Sequence, residues 1–368
     1  MHATDALSEA RRLMTVCNSC RYCEGLCAVF PAMEMRRTFP DGDLNYLANL
    51  CHGCGACYID CQFAPPHEFN VNVPKVLAQV RADSYAEYAW PGMFRGLFRR
   101  NGAVLALIAA ASVTIFTIAF FIAAGPGAFF STRMGSGAFY WIMSHNTMAF
   151  LFGGVFALAC AALAMAQRNF NRDAGSGPVE QGAGRPYLEA TEDAARLSYL
   201  DGGGAGCYGA EGQQDNRRFF HHLTFYGFLL CFASTSVATL YHYGLHREAP
   251  YPWYDLPVVL GFFGGLGLLA GPVGLLREKR RRDPALSDDA SRGMNAAFLA
   301  MLLVTSVTGL CLLLLRATSL MNVLLAIHLG AVFALFVTLP YGKFVHGLYR
   351  FAALHRYAKE KRAFLEKR

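Results

Sequence analysis

Charged side chains are scarce in this sequence: Asp, Glu, Lys and Arg make up 16% of its 368 residues, whereas hydrophobic residues make up 54%. An ordinary composition at this length would indicate two or three soluble domains. The shortage of charge indicates a membrane protein instead. The net charge is +7, but Lys and Arg cluster beside apolar segments and form no stripe on a soluble face. We therefore expect no nucleic-acid partner.

The sequence also lacks a secretion signal and a nucleotide-binding loop. Its polar N-terminus predicts no signal peptide. GLGLLA, which begins at Gly265, has the spacing of a dinucleotide fingerprint but lies inside an apolar run, where small residues indicate close helix packing. GGGAGCYG, at 202–209, has no strand-to-helix pattern around it. We therefore expect neither a nicotinamide nor a flavin site, and any flavin must belong to a partner.

Cysteine, in contrast, is abundant near the N-terminus. Of the 12 cysteines, eight fall within the first 61 residues, in two runs with the spacing C-x2-C-x2-C-x3-C. The first run is Cys17, Cys20, Cys23 and Cys27, and the second is Cys51, Cys54, Cys57 and Cys61. This spacing is typical of metal binding in a reducing compartment and not of disulfides. The sequence therefore predicts two [4Fe-4S] clusters.

The ligand sets follow from the pattern of two-cluster ferredoxins, in which the fourth cysteine of each run binds the other cluster. That pattern predicts one cluster on Cys17, Cys20, Cys23 and Cys61, and a second on Cys51, Cys54, Cys57 and Cys27. Zinc is the alternative, but zinc ribbons pair cysteines two by two and would not require all four of each run. Ala28 and Gln62 replace the usual proline after the fourth cysteine. His52 and His67 are interpreted as solvated residues or as neighbours of the ligands.

Six apolar runs are long enough, at about 20 residues, to cross the hydrocarbon core of a bilayer. They lie near 102–124, 146–166, 219–243, 257–276, 294–315 and 321–342. The predicted fold is mainly α, with a two-cluster ferredoxin-like domain followed by a six-helix transmembrane bundle. We assign 1–100 to the iron-sulfur domain with a juxtamembrane segment, 101–350 to the membrane domain and 351–368 to a basic cytoplasmic tail.

Smaller features of the membrane domain are also predicted. The polar insert at 167–216 is expected to be a flexible cytoplasmic segment. The pairs Gly261 with Gly265 and Gly267 with Gly271 predict close helix packing. Cysteines within the apolar runs are interpreted as small packing residues; they are Cys160, Cys231 and Cys311.

Basic residues predict the orientation of the bundle. Lys and Arg are frequent before the first and third runs and after the second, fourth and sixth, including REKRRR at 277–282. The loops on the other side carry mainly Arg133, Arg247 and Arg316. By the positive-inside rule, both termini and the iron-sulfur domain are expected in the cytoplasm, with the bundle in the inner membrane.

Histidines border two of the apolar runs, where ionisable groups are costly and usually functional. His221 and His222 begin the third run, and His242 ends it; His328 and His346 border the sixth. On one continuous helix, 18 residues make five turns, so His328 and His346 would share a face roughly 27 Å apart. Because the two runs are antiparallel, the predicted pairs are His221 with His346 on the cytoplasmic side and His242 with His328 on the outer side.

Each pair predicts two axial ligands of a b-type haem, which gives two haems. His221 is preferred because it is offset from His242 by about 60° around the helix, whereas His222 is offset by about 160° and remains the alternative. His145 and His246 are possible substitute ligands or quinone-site groups. The simpler alternative is that these histidines only snorkel or form hydrogen bonds. Basic residues near the pairs are candidates to meet haem propionates: Arg217, Lys343 and Arg350 inside, and Arg247 and Arg316 outside.

Five stretches of the sequence are distinctive. They are the two cysteine runs, FFHHLTFYGFLLCFASTS, YHYG and HLGAVFALFVTLPYGKFVHGLYR. Together they resemble the tricarballylate or citrate utilization protein B family over essentially the whole chain. The last stretch is also similar to the haem-binding helix of nitrate reductase gamma subunits, and places His328 and His346 on haem-ligand positions. The resemblance implies a membrane protein that reoxidises a separate FAD-dependent tricarballylate dehydrogenase and delivers the electrons to quinone.

The sequence thus predicts a linear electron path from a partner's flavin through two clusters and a cytoplasmic haem to quinone. No catalytic residue is assigned. One alternative is a quinol-oxidising subunit like those of heterodisulfide reductases, but the Cys-Cys-Gly motifs of those systems are missing, since no two cysteines are adjacent. A second alternative is an iron-sulfur redox sensor, for which no output module is apparent.

Overall fold

The computed structural model describes residues 4–98, 101–175, 177, 184–201, 216–288 and 292–366. Every regular element in these ranges is helical, so the predicted mainly α fold is confirmed. The α-helices are α1 (Asp5–Cys20), α2 (Val29–Glu34), α3 (Asp41–Leu50), α4 (Ala56–Ile59), α5 (Val73–Glu87), α6 (Asn101–Ala124), α7 (Pro126–Phe129), α8 (His145–Ala174), α9 (Gly184–Arg196), α10 (Arg217–Leu245), α11 (Leu256–Arg281), α12 (Arg292–Leu315), α13 (Met321–Thr338) and α14 (Val345–Leu365).

The six predicted spans are confirmed as helices that are long and apolar enough to cross a membrane. They are α6, α8, α10, α11, α12 and α13, the last extended to Tyr341 by a short 3-10 turn. The largest difference from prediction is in α8, which continues to Ala174 instead of ending near 166. Its 30 residues span about 45 Å, which exceeds a hydrocarbon core of about 30 Å. Helix α8 is therefore longer than a membrane span needs, and its last turns add Phe170 and Ala174 to the core of the iron-sulfur domain.

Glycines bring α10 and α11 into close contact, as the sequence predicted. A Cβ atom on Gly264 would lie 2.8 Å from the backbone nitrogen of Cys231, and one on Gly267 would lie 2.8 Å from the Leu223 carbonyl oxygen. Gly265 faces α12 instead, where the Ser306 hydroxyl donates to its carbonyl oxygen at 2.7 Å. Small residues thus let the backbones approach on two sides of α11.

The iron-sulfur domain is built from α1 to α5 around an apolar core. In α1, the buried positions Leu7, Ala10, Leu13 and Met14 recur at helical spacing, and Thr4 caps the helix by accepting from the Leu7 amide at 3.2 Å. In α3, every side chain from Leu44 to Leu50 is buried. The core of the domain thereby fixes α3 immediately before the second cysteine run.

The C-terminal helix completes this core. Tyr349 of α14 is fully buried, stacks on Phe170 of α8 with ring centroids 5.0 Å apart, and contacts the edge of Tyr88 after α5. The segment 351–368, which was assigned to a basic tail, is therefore helical to Leu365 and packs into the iron-sulfur domain. Helices α8 and α14 join that domain to the membrane bundle.

Four charged side chains fasten α14 to the domain. Arg36 contacts Glu360 at 2.6 Å and Asp43 at 3.2 Å, while Arg356 contacts Asp43 at 2.5 Å and Glu360 at 2.8 Å. All four side chains are at least 81% buried, because none exposes more than 19% of its surface. Removal of one partner from such a buried network typically costs about 3–5 kcal/mol, since it leaves a charge uncompensated.

The structure differs from prediction at the end of the sixth run and in the polar insert. The α-helix is interrupted between Thr338 and Val345, so His328 lies on α13 and His346 on α14, and the predicted shared face of one continuous helix is wrong. Pro340 within this break lacks the amide hydrogen that a continuous helix would need. In the polar insert, α9 is helical and packs on α14, with Glu189 contacting Arg362 at 3.2 Å. The run GGGAGCYG lies outside the described residues.

Candidate functional site

The eight cysteines line two neighbouring cavities in the iron-sulfur domain. We call the cavity lined by Cys17, Cys20, Cys23 and Cys61 the distal cavity. We call the cavity lined by Cys27, Cys51, Cys54 and Cys57 the proximal cavity. Phe30, Cys57 and Val73 line both and so form the wall between them. The fold therefore groups the fourth cysteine of each run with the first three cysteines of the other.

Local backbone geometry places the cysteines around these cavities. Helix α1 ends at Cys20 because Arg21 adopts a left-handed conformation, and its amide donates to the Cys17 carbonyl oxygen at 2.8 Å. In the second run, Gly53 and Gly55 both have positive φ, at 61° and 95°. The Gly53 amide points at the Cys51 sulfur at 3.3 Å, a contact typical of cluster-binding loops.

The chemistry of the cysteines fits a polynuclear metal group. Burial, followed by repulsion from neighbouring cysteines, raises the pKa of Cys17 to about 12 and also raises the pKa of Cys27 and of Cys57. Four thiolates in such a cavity require bound positive charge, which iron ions would supply. Across the described ranges, no three His, Cys, Asp or Glu residues converge on one metal ion. The cysteines surround a volume, as ligands of a cubane cluster do.

The two cavities differ in their surroundings. Cys20 is exposed and Tyr22, beside the distal cavity, exposes 71% of its surface. Cys51 of the proximal cavity is buried, and His52 beside it approaches Tyr199 with ring centroids 6.1 Å apart. The pKa of His52 is lowered well below its usual value, mainly by burial, then by Arg350, with a smaller effect from His221. His52 therefore lines the proximal cavity as a partly buried neighbour of the cysteines, and His221 acts on it electrostatically.

Of the predicted haem ligands, His221 and His346 are brought together. Their ring centroids are 6.2 Å apart, and α10 begins at Arg217, before His221, as the phase argument required. Two imidazoles on opposite sides of one metal ion, with metal–nitrogen distances of about 2.0–2.1 Å, would have centroids about 6 Å apart. Nδ1 of His346 donates to the Lys343 carbonyl oxygen at 2.5 Å, which leaves Nε2 available to bind a metal.

His222 is occupied elsewhere. Its Nε2 donates to the Ala195 carbonyl oxygen at 3.2 Å, and its ring stacks on Tyr226. Nδ1 of His221, in contrast, is buried without a hydrogen-bond partner. The environment of the two residues therefore favours His221 as the metal ligand, and this pair of rings fits a bis-His haem.

The outer histidines are arranged differently. His242 stacks on His145 with ring centroids 3.6 Å apart, and Tyr140 and Tyr243 contact both rings edge-on. His328 faces α12, where Nδ1 lies 3.0 Å from the Thr308 hydroxyl oxygen. Within the described parts of the chain, no ring contact joins His242 to His328. The fold thus places His242 beside His145, which was predicted only as a possible substitute ligand, and not in ring contact with His328.

The candidate propionate partners contact other groups. Arg247 and Arg316, which were predicted to lie outside, pair with Asp255 and donate to the Tyr251 carbonyl oxygen at 2.7 Å, respectively. Arg217 and Arg350, which were predicted to lie inside, donate to carbonyl oxygens of the second cysteine run, at Gly53 and Cys51. Burial, followed by repulsion from Arg81, lowers the pKa of Arg350 to about 10. The inner arginines therefore connect the membrane helices to the proximal cavity.

This arrangement defines a membrane helix bundle that carries a cysteine-rich, ferredoxin-like domain on its polar end. Residues 10–87 match the family model of the Citrate utilization protein B Fer4-like domain, and residues 97–366 match that of Citrate utilization protein B. A curated Escherichia coli protein named Citrate utilization protein B is 49% identical over 364 residues, which cover 98% of this chain and 94% of that protein. No solved structure matches the chain. The chain belongs to the Citrate utilization protein B family.

Proposed function

We propose that this protein carries electrons from an FAD-dependent dehydrogenase, of the tricarballylate dehydrogenase kind, through two [4Fe-4S] clusters and b-type haem to membrane quinone. The main support for this proposal is the spatial arrangement of the candidate sites. The exposed distal cavity shares a wall with the proximal cavity. His52 lines the proximal cavity, His221 acts on it electrostatically, and His221 lies beside His346. Clusters and haem carry single electrons when bound, so a two-electron flavin donor can be emptied in two steps.

The ligand proposal has three parts. The distal cluster would be held by Cys17, Cys20, Cys23 and Cys61, and the proximal cluster by Cys27, Cys51, Cys54 and Cys57. The inner haem would be held by His221 and His346. A second haem on His242 and His328 rests on the opposite directions of the third and sixth runs, which were predicted to put these two histidines at the same level. His145 is the candidate to replace His328 as a ligand of this haem, because its ring stacks on that of His242.

The orientation proposal places the iron-sulfur domain and both termini in the cytoplasm. Its support is the distribution of basic residues, since Arg277, Lys279, Arg280 and Arg281 all lie in the last turns of α11, on the side of the iron-sulfur domain. The electron donor would then approach from the cytoplasm, and quinone would be reached from the bilayer.

Haem spectra and the order of reduction test this function. Dithionite-reduced protein should show b-type absorption bands, and His346→Ala and His221→Ala should each lose the inner haem, because no replacement ligand completes the bis-His pair. His222→Ala is the matched control and should keep the bands. Loss of haem in His222→Ala alone would reverse the ligand assignment.

The direction of flow needs membranes that contain the flavoprotein. There, substrate should reduce the clusters before the haem, and His346→Ala should leave cluster reduction intact while slowing quinone reduction. If quinol instead fills the haem first and the clusters afterwards, the protein belongs to a quinol-oxidising reductase. If wild-type protein binds no haem, electrons must pass from clusters to quinone directly.

A further inference from the structure

Four arginines from four helices or helix ends converge on the short loop of the proximal cavity. Arg81 of α5 donates to the Cys51 carbonyl oxygen at 2.8 Å, and Arg350 of α14 donates to the same oxygen at 2.7 Å. Arg282, at the end of α11, donates to the Gly53 carbonyl oxygen at 2.7 Å, and Arg217, at the start of α10, does so at 3.1 Å. The carbonyl oxygens of Cys51 and Gly53, the residues on either side of His52, therefore accept hydrogen bonds from two arginines each.

The contacts come from both parts of the molecule. Arg81 belongs to the iron-sulfur domain, whereas Arg217 and Arg282 stand at the ends of membrane helices. Arg350 follows His346 by one turn of α14, so one helix carries both a proposed haem ligand and a contact to Cys51. The cluster-binding loop is thus held in a fixed position relative to His221 and His346.

No such group of arginines surrounds the distal cavity in the part of the chain that the structure describes. Arg21, which lines it, is exposed and donates to the Asn18 carbonyl oxygen at 3.0 Å, within its own helix turn. Asp60, an exposed carboxylate, is next to Cys61 in the chain. The proximal loop therefore receives contacts from four arginines, whereas one exposed arginine and one exposed carboxylate lie near the distal cysteines.

A [4Fe-4S] cluster on four cysteines is an anion, and reduction adds one more negative charge. Nearby positive charge in a partly buried site favours the reduced form, and a nearby carboxylate disfavours it. We propose that Arg81, Arg217, Arg282 and Arg350 raise the reduction potential of the proximal cluster above that of the distal cluster. This ordering sends electrons from the exposed cavity toward the membrane. The inference rests on the proposed function, because it assumes that both cavities bind clusters.

A redox titration of purified protein, followed by low-temperature EPR, tests this inference without partner or quinone. In Arg350→Gln, we expect the ratio of reduced to oxidised proximal cluster, at a fixed potential, to fall about tenfold, the effect of one charge at moderate distance in a partly buried site. The midpoint of the distal cluster should stay unchanged. Arg350→Lys keeps the charge but not the forked hydrogen bonds, and should restore most of the shift.

Controls separate a local charge effect from damage to the fold. Arg196→Gln, which removes an exposed pair with Glu192 outside the cavities, should shift neither cluster. If Arg350→Gln loses iron, Arg282→Gln is the variant to titrate, since Arg282 contacts the loop from outside the iron-sulfur core. Unchanged midpoints in variants that retain about eight iron atoms would overturn the inference and leave the proposed function intact. Wild-type protein without clusters would overturn both.

Discussion

The distal and proximal cavities have the same cysteine spacing and opposite surroundings. The distal cavity opens toward solvent through exposed Cys20 and Tyr22, whereas the proximal cavity lies against the membrane helices with Cys51 buried. The proximal loop is held by arginine contacts at Cys51 and Gly53. Under the proposed function, the same ligand motif would serve as the entry point for electrons at the distal cavity and as an internal relay at the proximal cavity.

This contrast shows where each role is encoded. The spacing of the cysteines determines how many thiolates each cavity offers. Exposure, charge and hydrogen bonds come from residues distant in sequence, such as Arg350, which lies 299 positions from Cys51. Substitutions that alter only one cavity should therefore separate the two roles.

The largest expected effect comes from removal of one ligand from each cavity. Cys54→Ser should remove the proximal cluster and Cys61→Ser the distal cluster, so that each variant binds about four iron atoms in place of about eight. Iron analysis and EPR of the anaerobically purified proteins measure this. Because Cys61 belongs to the second run, loss of the proximal cluster in Cys61→Ser would mean that each run binds its own cluster.

A smaller effect is expected from two glycines, one in each cysteine run. Gly55 has φ of 95°, and a Cβ there would lie 2.7 Å from Cδ1 of Leu286, whereas a Cβ on Gly25 would meet no atom within 4 Å. Gly55→Ala should destabilise the proximal loop by about 1–2 kcal/mol from its left-handed backbone, with a further cost from the contact. We expect a several-fold loss of the proximal cluster signal in Gly55→Ala.

Gly25→Ala is the control and should keep both signals. Combination of Gly55→Ala with Leu286→Ala should recover part of the proximal signal, because it relieves the contact but not the backbone strain. Equal losses in the two glycine variants would show that the loops are equally constrained, contrary to the contrast between the cavities.

Much of this organisation could be predicted from the sequence. Apolar runs of sufficient length predicted all six membrane-length helices, and the phase of His221 on α10 selected the histidine that lies beside His346. Both inferences depend on local periodicity, which a sequence records directly. The family was also predicted correctly from the cysteine runs and the histidine-rich stretches.

Other features depended on contacts that periodicity does not record. The assumption of one helix from His328 to His346 failed although Pro340 and Gly342 marked the break. The burial of α14 could not be inferred, because its basic residues also fit a solvated tail. Arg81 carried no signal in the sequence, since its role depends on the position of Cys51 in space.

The smallest expected effect concerns the rate at which oxidants reach each cavity. Because Cys20 is exposed and Cys51 is buried, brief exposure to air should remove the distal cluster several-fold faster than the proximal cluster, since access limits the oxidation of cluster sulfur and iron. EPR spectra of samples reduced at successive times would follow the two signals separately. Cys54→Ser and Cys61→Ser, each with one cluster, assign the signals. Protein in lipid vesicles should show a larger difference than protein in detergent if loosening of the membrane helices exposes the proximal loop. Equal rates in vesicles would mean that solvent reaches both cavities alike, and the distal cavity could then no longer be distinguished as the point of electron entry by its exposure.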